Sequence, residues 1–186
     1  FVLAGTKRVY ERPRPFDIRH IAIDLDVDVP GKSITGDVRL DVRRVDEKAT
    51  EIALDAVGFE LHGVDLASGG KKKWSKAEHT YDGETLKVKL PAGAAEASIR
   101  VRYNAKPRRG LYFIAPDEHV STRPEQVWTQ CQDEDARHVF PCHDKPHVKQ
   151  TTELTARVPA KWYALSNGAL VEEAAAHEAA DVAGDV

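Results

Sequence analysis

Residues 21–42 read IAIDLDVDVPGKSITGDVRLDV, and both halves of this stretch obey one rule. Ile21, Ile23, Leu25, Val27 and Val29 take every second position, with Asp24, Asp26 and Asp28 between them. A strand sends successive side chains to opposite faces, so this order puts an apolar row on one face and a carboxylate row on the other. Pro30-Gly31-Lys32 supplies a turn, after which Ile34, Val38, Leu40 and Val42 resume the inward row. Two half-buried strands joined by a tight turn are predicted.

Shorter runs follow the same period. They are EIALDA (51–56), GFELHGVDL (58–66), TLKVKL (85–90) behind an Asp82-Gly83 turn, and ASIRVRY (97–103) with Ile99, Val101 and Tyr103 on one face. QVWTQCQ (126–132), TTELTARV (151–158) and WYALSNG (162–168) come later. Strands at this spacing, split by Gly, Pro and Asp turns and with no helical period, predict an all-β fold, a sandwich or an open curved sheet. Residues 1–171 are expected to form a single domain, strand-rich at first and loop-richer from 106 on, since no linker composition divides them. The alanine-rich, acidic EEAAAHEAADVAGDV (172–186) is expected to be a frayed or cut terminus, with a short helix as the alternative from propensity.

The bulk numbers narrow the function classes. The chain has 186 residues, 41% hydrophobic and 31% charged, which suits a soluble globular domain with its own core. A net charge of −3 offers no footprint for nucleic acid. Lys71-Lys72-Lys73, after Gly69-Gly70, is expected to be a solvated loop tip. No apolar run approaches the roughly 20 residues that span a bilayer, so no membrane association is expected. Two cysteines are too few for a disulfide scaffold, and a cytoplasmic setting is expected. With no methionine, the chain is expected to be processed or cut from something longer.

Residues 129–150, TQCQDEDARHVFPCHDKPHVKQ, concentrate the chemistry: both cysteines and His138, His143 and His147. His143 and His147 have the His-x3-His spacing of a zinc-protease helix. Pro146 inside the would-be turn and Pro141 just before it argue against any regular helix, and Asp144 stands where such a site needs a longer Glu. Cys131, His138, Cys142 and His143 lack a zinc-knuckle spacing. No metal site is expected here. A Cys131–Cys142 disulfide is compatible with the spacing, but two buried thiols are the expected state. In an extended TQCQ, Gln130 and Gln132 project to one side and Cys131 to the other, offering two uncharged carboxamides to a ligand or simply to solvent. An Arg137–Asp144 ion pair is expected to staple the following loop.

Taken together, WTQCQDEDARHVFPCHDKPHVKQTTELTARVPAKWYALSNG (128–168) resembles the N-terminal domain of the aminopeptidase N / leukotriene A hydrolase family, the gluzincin zinc aminopeptidases. The resemblance rests on Thr129-Gln130-x-Gln132, Ala136-Arg137, Pro141-Cys142-x-Asp144-x-Pro146, Lys149, Val158-Pro159 and Ala164–Asn167, in family order. Arg108 to Phe113 and the opening strands from Tyr10 resemble the family's upstream segments. The resemblance implies a saddle-like β domain that packs on a thermolysin-like catalytic domain. That second domain would carry the zinc on an HExxH helix, which these 186 residues lack, so the chain alone should be inactive and hold no cofactor. It also implies that Gln130 and Gln132 bind the amino end of a peptide substrate, while Cys131, Arg137, Cys142 and Asp144 keep the loop in shape. The alternatives are a non-catalytic scaffold of the same fold and a stand-alone β module that binds peptides.

Overall fold

The structure is a computed structural model that describes residues 12–68 and 73–174. The expected Lys71-Lys72 loop tip and most of the 172–186 tail lie outside these residues. The strands are β1 (Phe16–Asp28), β2 (Ser33–Arg44), β3 (Glu51–Asp55), β4 (Phe59–Ser68), β5 (Ser75–Lys76), β6 (His79–Tyr81), β7 (Thr85–Lys89), β8 (Glu96–Ala105), β9 (Gly110–Ile114), β10 (Gln126–Gln130) and β11 (Thr151–Arg157). Among the described residues the sole helical piece is a 3-10 turn over Ala136–His138, and no helix is long and apolar enough to cross a membrane. The fold is all-β, as the alternation requires.

Six strands form the main sheet in the order β11-β1-β2-β8-β4-β5, three form a second sheet, β3-β7-β6, and β9 and β10 pair as a separate ladder. The first two sheets share one core. Ile21, Val38, Leu40, Ile99 and Val101 of the large sheet and Ile52, Leu54, Leu86 and Val88 of the small one are fully buried in a single cluster. Each such side chain contributes about 1.5–3 kcal/mol by leaving water.

Local irregularities in the pattern are bulges. Phe16 and Ile18 are buried, and so are Ile21, Ile23 and Leu25, although the two sets differ in parity. The β1–β2 register shifts between Ile18 and His20, which absorbs the extra residue and keeps both rows facing the core. β4 does the same between Leu61 and Gly63.

The carboxylate row of β1 faces out. Asp24 lies directly opposite Asp37 of β2, an arrangement of like charges that destabilises a sheet unless neutralised. Arg100 Nε reaches Asp37 at 2.8 Å and Arg157 Nη2 reaches Asp24 at 2.9 Å. The second of these comes from β11, which joins β1 in parallel, with Ile23 beside Leu154.

Two sequence expectations are corrected, and two short strands are added. WYALSNG forms no strand: Trp162 N closes a turn on Pro159 O, and Tyr163 and Leu165 are exposed. QVWTQCQ stops being a strand at Gln130. The short strands β5 and β6 carry too few alternating residues to stand out in the sequence.

Candidate functional site

The loop from Cys131 to Lys145 is sewn to the end of β3 by backbone. Asp55 N donates to Cys142 O at 2.8 Å and Cys142 N returns a bond to Asp55 O at 3.1 Å, while Val57 N donates to Arg137 O at 2.8 Å. Two carboxylates lock the attachment. Asp55 accepts from Asp144 N at 3.0 Å and from the Arg12 guanidinium at 2.9 Å. Asp144, 7% exposed, accepts from both the backbone N and the Nε of Arg137, at 3.0 and 2.9 Å. Arg137 also reaches Glu134 at 2.7 Å and Asp144 O at 3.1 Å, and Lys145 binds the other oxygen of Glu134 at 2.7 Å. The Lys145 ammonium thereby holds the Glu134 carboxyl below the usual carboxylate range. A buried carboxylate is tolerable only when its oxygens are bonded in this way.

The two proline-flanked histidines do different things. His143 is buried, and its Nε2 lies 3.1 Å from Ala53 O, so the neutral ring donates to that carbonyl. Burial, aided by the nearby Arg12, lowers its pKa. His147 is exposed, in a turn rather than a helix. Among the described residues no group of three or more His, Cys, Asp or Glu side chains is arranged to hold a metal ion. The donor chemistry agrees, because His143 is spent on a carbonyl and Asp144 on a guanidinium. The described residues of this loop do not fit a zinc.

Cys131 and Cys142 are both free thiols. Cys142 is 3% exposed, and burial raises its pKa well above the usual thiol value. Cys131 is half-buried, with Sγ 3.6 Å from Gly110 O, and burial raises its pKa as well.

Two residues that fix this loop were not singled out from the sequence. Gly110 has φ +76, and a Cβ there would sit 2.3 Å from Asp135 O; only glycine lets β9 pass so close beneath the loop. Tyr103, fully buried on β8 and stacked on Phe59 at 4.1 Å, donates its hydroxyl to Val139 O. An unpaired glycine beside two arginines was the only sequence signal for the first. For the second there was none, since Tyr103 sits in register as an ordinary core residue.

Gln130 is the last residue of β10, paired with Gly110, and it is exposed. Gln132 is exposed too, but it lies in a turn closed by Asp135 N on Cys131 O at 3.0 Å. The expected extended TQCQ, with both amides side by side, is therefore not what forms. β9 offers no partner beyond Gly110, so the ladder ends there and strand parity does not govern Gln132. Neither carboxamide has a hydrogen-bond partner among the described residues. The loop thus spends Glu134, Arg137, Asp144 and Lys145 on its own shape, and two neutral amides stand exposed at the end of β10 and the start of the loop.

Comparison with known proteins identifies the fold. Residues 10–182 match the model of the peptidase M1 N-terminal domain. Leucine aminopeptidase 2 of Sclerotinia sclerotiorum is 26% identical over 147 residues, 76% of this chain and 24% of the relative. Leukotriene A-4 hydrolase of Xenopus laevis is 24% identical over 160 residues, 84% of this chain and 26% of the relative. Among solved structures, leukotriene A4 hydrolase of Saccharomyces cerevisiae aligns with a TM-score of 0.63 at 21% identity, over 78% of this chain and 24% of that one. The M1 zinc metallopeptidase of Deinococcus radiodurans aligns with a TM-score of 0.62 at 24% identity, over 79% and 33%. The chain spans about a quarter of the length of the curated relatives it matches. By the match over residues 10–182, it belongs to the peptidase M1 N-terminal domain family.

Proposed function

We propose that this chain is the substrate-cleft domain of a zinc metallo-aminopeptidase that removes N-terminal residues from peptides. In this role it covers one side of the active-site cleft, packs on a catalytic domain and presents Gln130 and Gln132 to the amino end of the substrate. The zinc belongs to protein outside this chain, a reading supported by the described residues, which do not fit it.

One observation carries the reading: two exposed carboxamides, unpartnered among the described residues, at the end of β10 and the start of a loop whose Glu134, Arg137, Asp144 and Lys145 are committed to one another and to Asp55 of β3. A peptide's α-ammonium offers hydrogen-bond donors, and an amide oxygen accepts one without fixing a full charge in the cleft. Acceptors held on a stapled loop lose little freedom on binding, so the contact favours the bound state. Asp133, exposed beside Gln132, adds negative charge nearby.

The test is Gln132→Ala in the full-length enzyme, assayed on aminoacyl p-nitroanilides. Loss of a hydrogen bond to a charged amine should lower kcat/KM by about 1–3 kcal/mol for every substrate alike. Unchanged kinetics would take Gln132 out of the site, and a full-length protein without aminopeptidase activity would make the domain a scaffold.

A further inference from the structure

β9 and β10 form a ribbon with two distinct faces. Leu111 is buried in the core, and Phe113 and Val127 pack against it. Tyr112 and Trp128 are directly opposite each other in register and point the other way. Their rings stack at 5.0 Å with 25° between planes, and Trp128 remains 44% exposed. Tyr112 is half-buried, and among the described residues β10 pairs only with β9.

Large exposed aromatics cost solvation unless something apolar meets them. Position along the strand suggests what that is. Trp128 and Gln130 are two residues apart, hence on the same face and separated by about 6.8 Å along β10. The neighbour of Gln130 across the ladder is Gly110, over which the loop passes, with Asp135 O where a Cβ would lie. A peptide whose amino end is held at Gln130 and Gln132 therefore has its first Cα within one side-chain length of the indole. A methyl group does not reach across about 6.8 Å, whereas a leucine or phenylalanine side chain does.

We propose that Trp128, backed by Tyr112, is a specificity-determining wall that receives a large apolar side chain on the first residue of the substrate. The proposal rests on the amino-end role of Gln130 and Gln132. The stack holds the indole against its neighbour, so little rotamer freedom is lost when the substrate arrives. Trp128 does not touch the scissile bond. Its effect is on the choice among substrates, and it grows with the apolar area that the first side chain can lay against the ring.

Alanyl, leucyl and phenylalanyl p-nitroanilides, assayed with the full-length enzyme, test this. In Trp128→Ala the ratio of kcat/KM for the leucyl or phenylalanyl substrate over the alanyl one should fall about tenfold, the usual scale for losing apolar contact in a pocket. Trp128→Phe should restore most of the ratio. An equal loss on all three substrates, or no change in the ratio, overturns the proposal; the former outcome would mark Trp128 as a contact with the catalytic domain. Gln132→Ala, run in parallel, separates the two ideas. If it weakens all three substrates equally while Trp128→Ala leaves the ratio alone, only the aromatic wall falls. If Gln132→Ala changes nothing, the amino-end reading falls first. Should Trp128→Ala fail to fold, Tyr112→Leu and Trp128→Phe give the same ratio measurement on folded protein.

Discussion

Replacing Tyr103 with phenylalanine removes one oxygen from the middle of the domain. The ring can stay where it is, stacked on Phe59 and closed off from solvent. What changes is Val139 O, which receives the Tyr103 hydroxyl and no other backbone donor among the described residues. Val139 is 3% exposed, so water does not easily replace the lost donor. A buried carbonyl left in that state costs about 1–3 kcal/mol. For a domain of this size that lowers Tm by about 2–12 °C. In urea, with m on the order of 2 kcal/mol/M, the midpoint falls by about 0.5–1.5 M at unchanged m. Thermal and urea unfolding of the purified chain, followed by circular dichroism and tryptophan fluorescence, measure both. A loss below about 0.5 kcal/mol would show that the hydroxyl does not anchor the loop to the large sheet, and the account of a stapled site would need another pin.

Two further outcomes follow from the loop chemistry. Asp144→Asn should cost about 2 kcal/mol by chemical denaturation, because Arg137 keeps its burial and loses the more buried of its two counter-charges, Glu134 remaining; a neutral result would mean that solvent already screens the pair. His143 and His138 both have pKa values lowered first by burial, so the unfolded chain takes up protons that the native one resists. Their contribution to stability is intact above the unfolded value of about 6.5 and is lost as pH falls from there through the lower folded values. Stability measured from pH 7.5 down to 5 should decline below about 6.5, and His143→Gln should flatten that decline. An unchanged slope would acquit His143.

The fold was legible because alternation is a strong signal wherever one face is buried. Residues 21–42 dictated two core strands, and Ile99, Val101 and Tyr103 a third, matching the buried rows that form except at Val27 and Val29, which are half-buried, Val29 lying in the turn beyond β1. The bulges near Arg19 and His62 were less visible, since a single inserted residue looks like a break in the pattern until the partner strand shows that both rows face inward. The site was partly legible. Arg137 and Asp144 meet at 2.9 Å, as complementary charges close in sequence suggested. Gln132 was misjudged in conformation because strand parity was extended past the last residue that has a partner. Asp55 and Tyr103 could not be tied to the loop at all: they lie far from it in sequence, and only the packing of β3 and β8 brings them there. WYALSNG shows the opposite failure, a strand-like composition that pairs with no strand.

The parallel pairing of β1 with β11 has a bearing on how the chain is assembled. His20 and Thr151, hydrogen-bonded at 2.8 Å, are 131 residues apart, whereas β1 and β2 are joined by a short turn. Contacts that far apart close late, since the entropy of so long a loop is spent before the contact returns anything. During synthesis, then, the outer edge of β1 stays without its neighbour until residues 151–157 have emerged, and it is there that a half-made chain exposes unpaired backbone to chaperones or to other half-made chains.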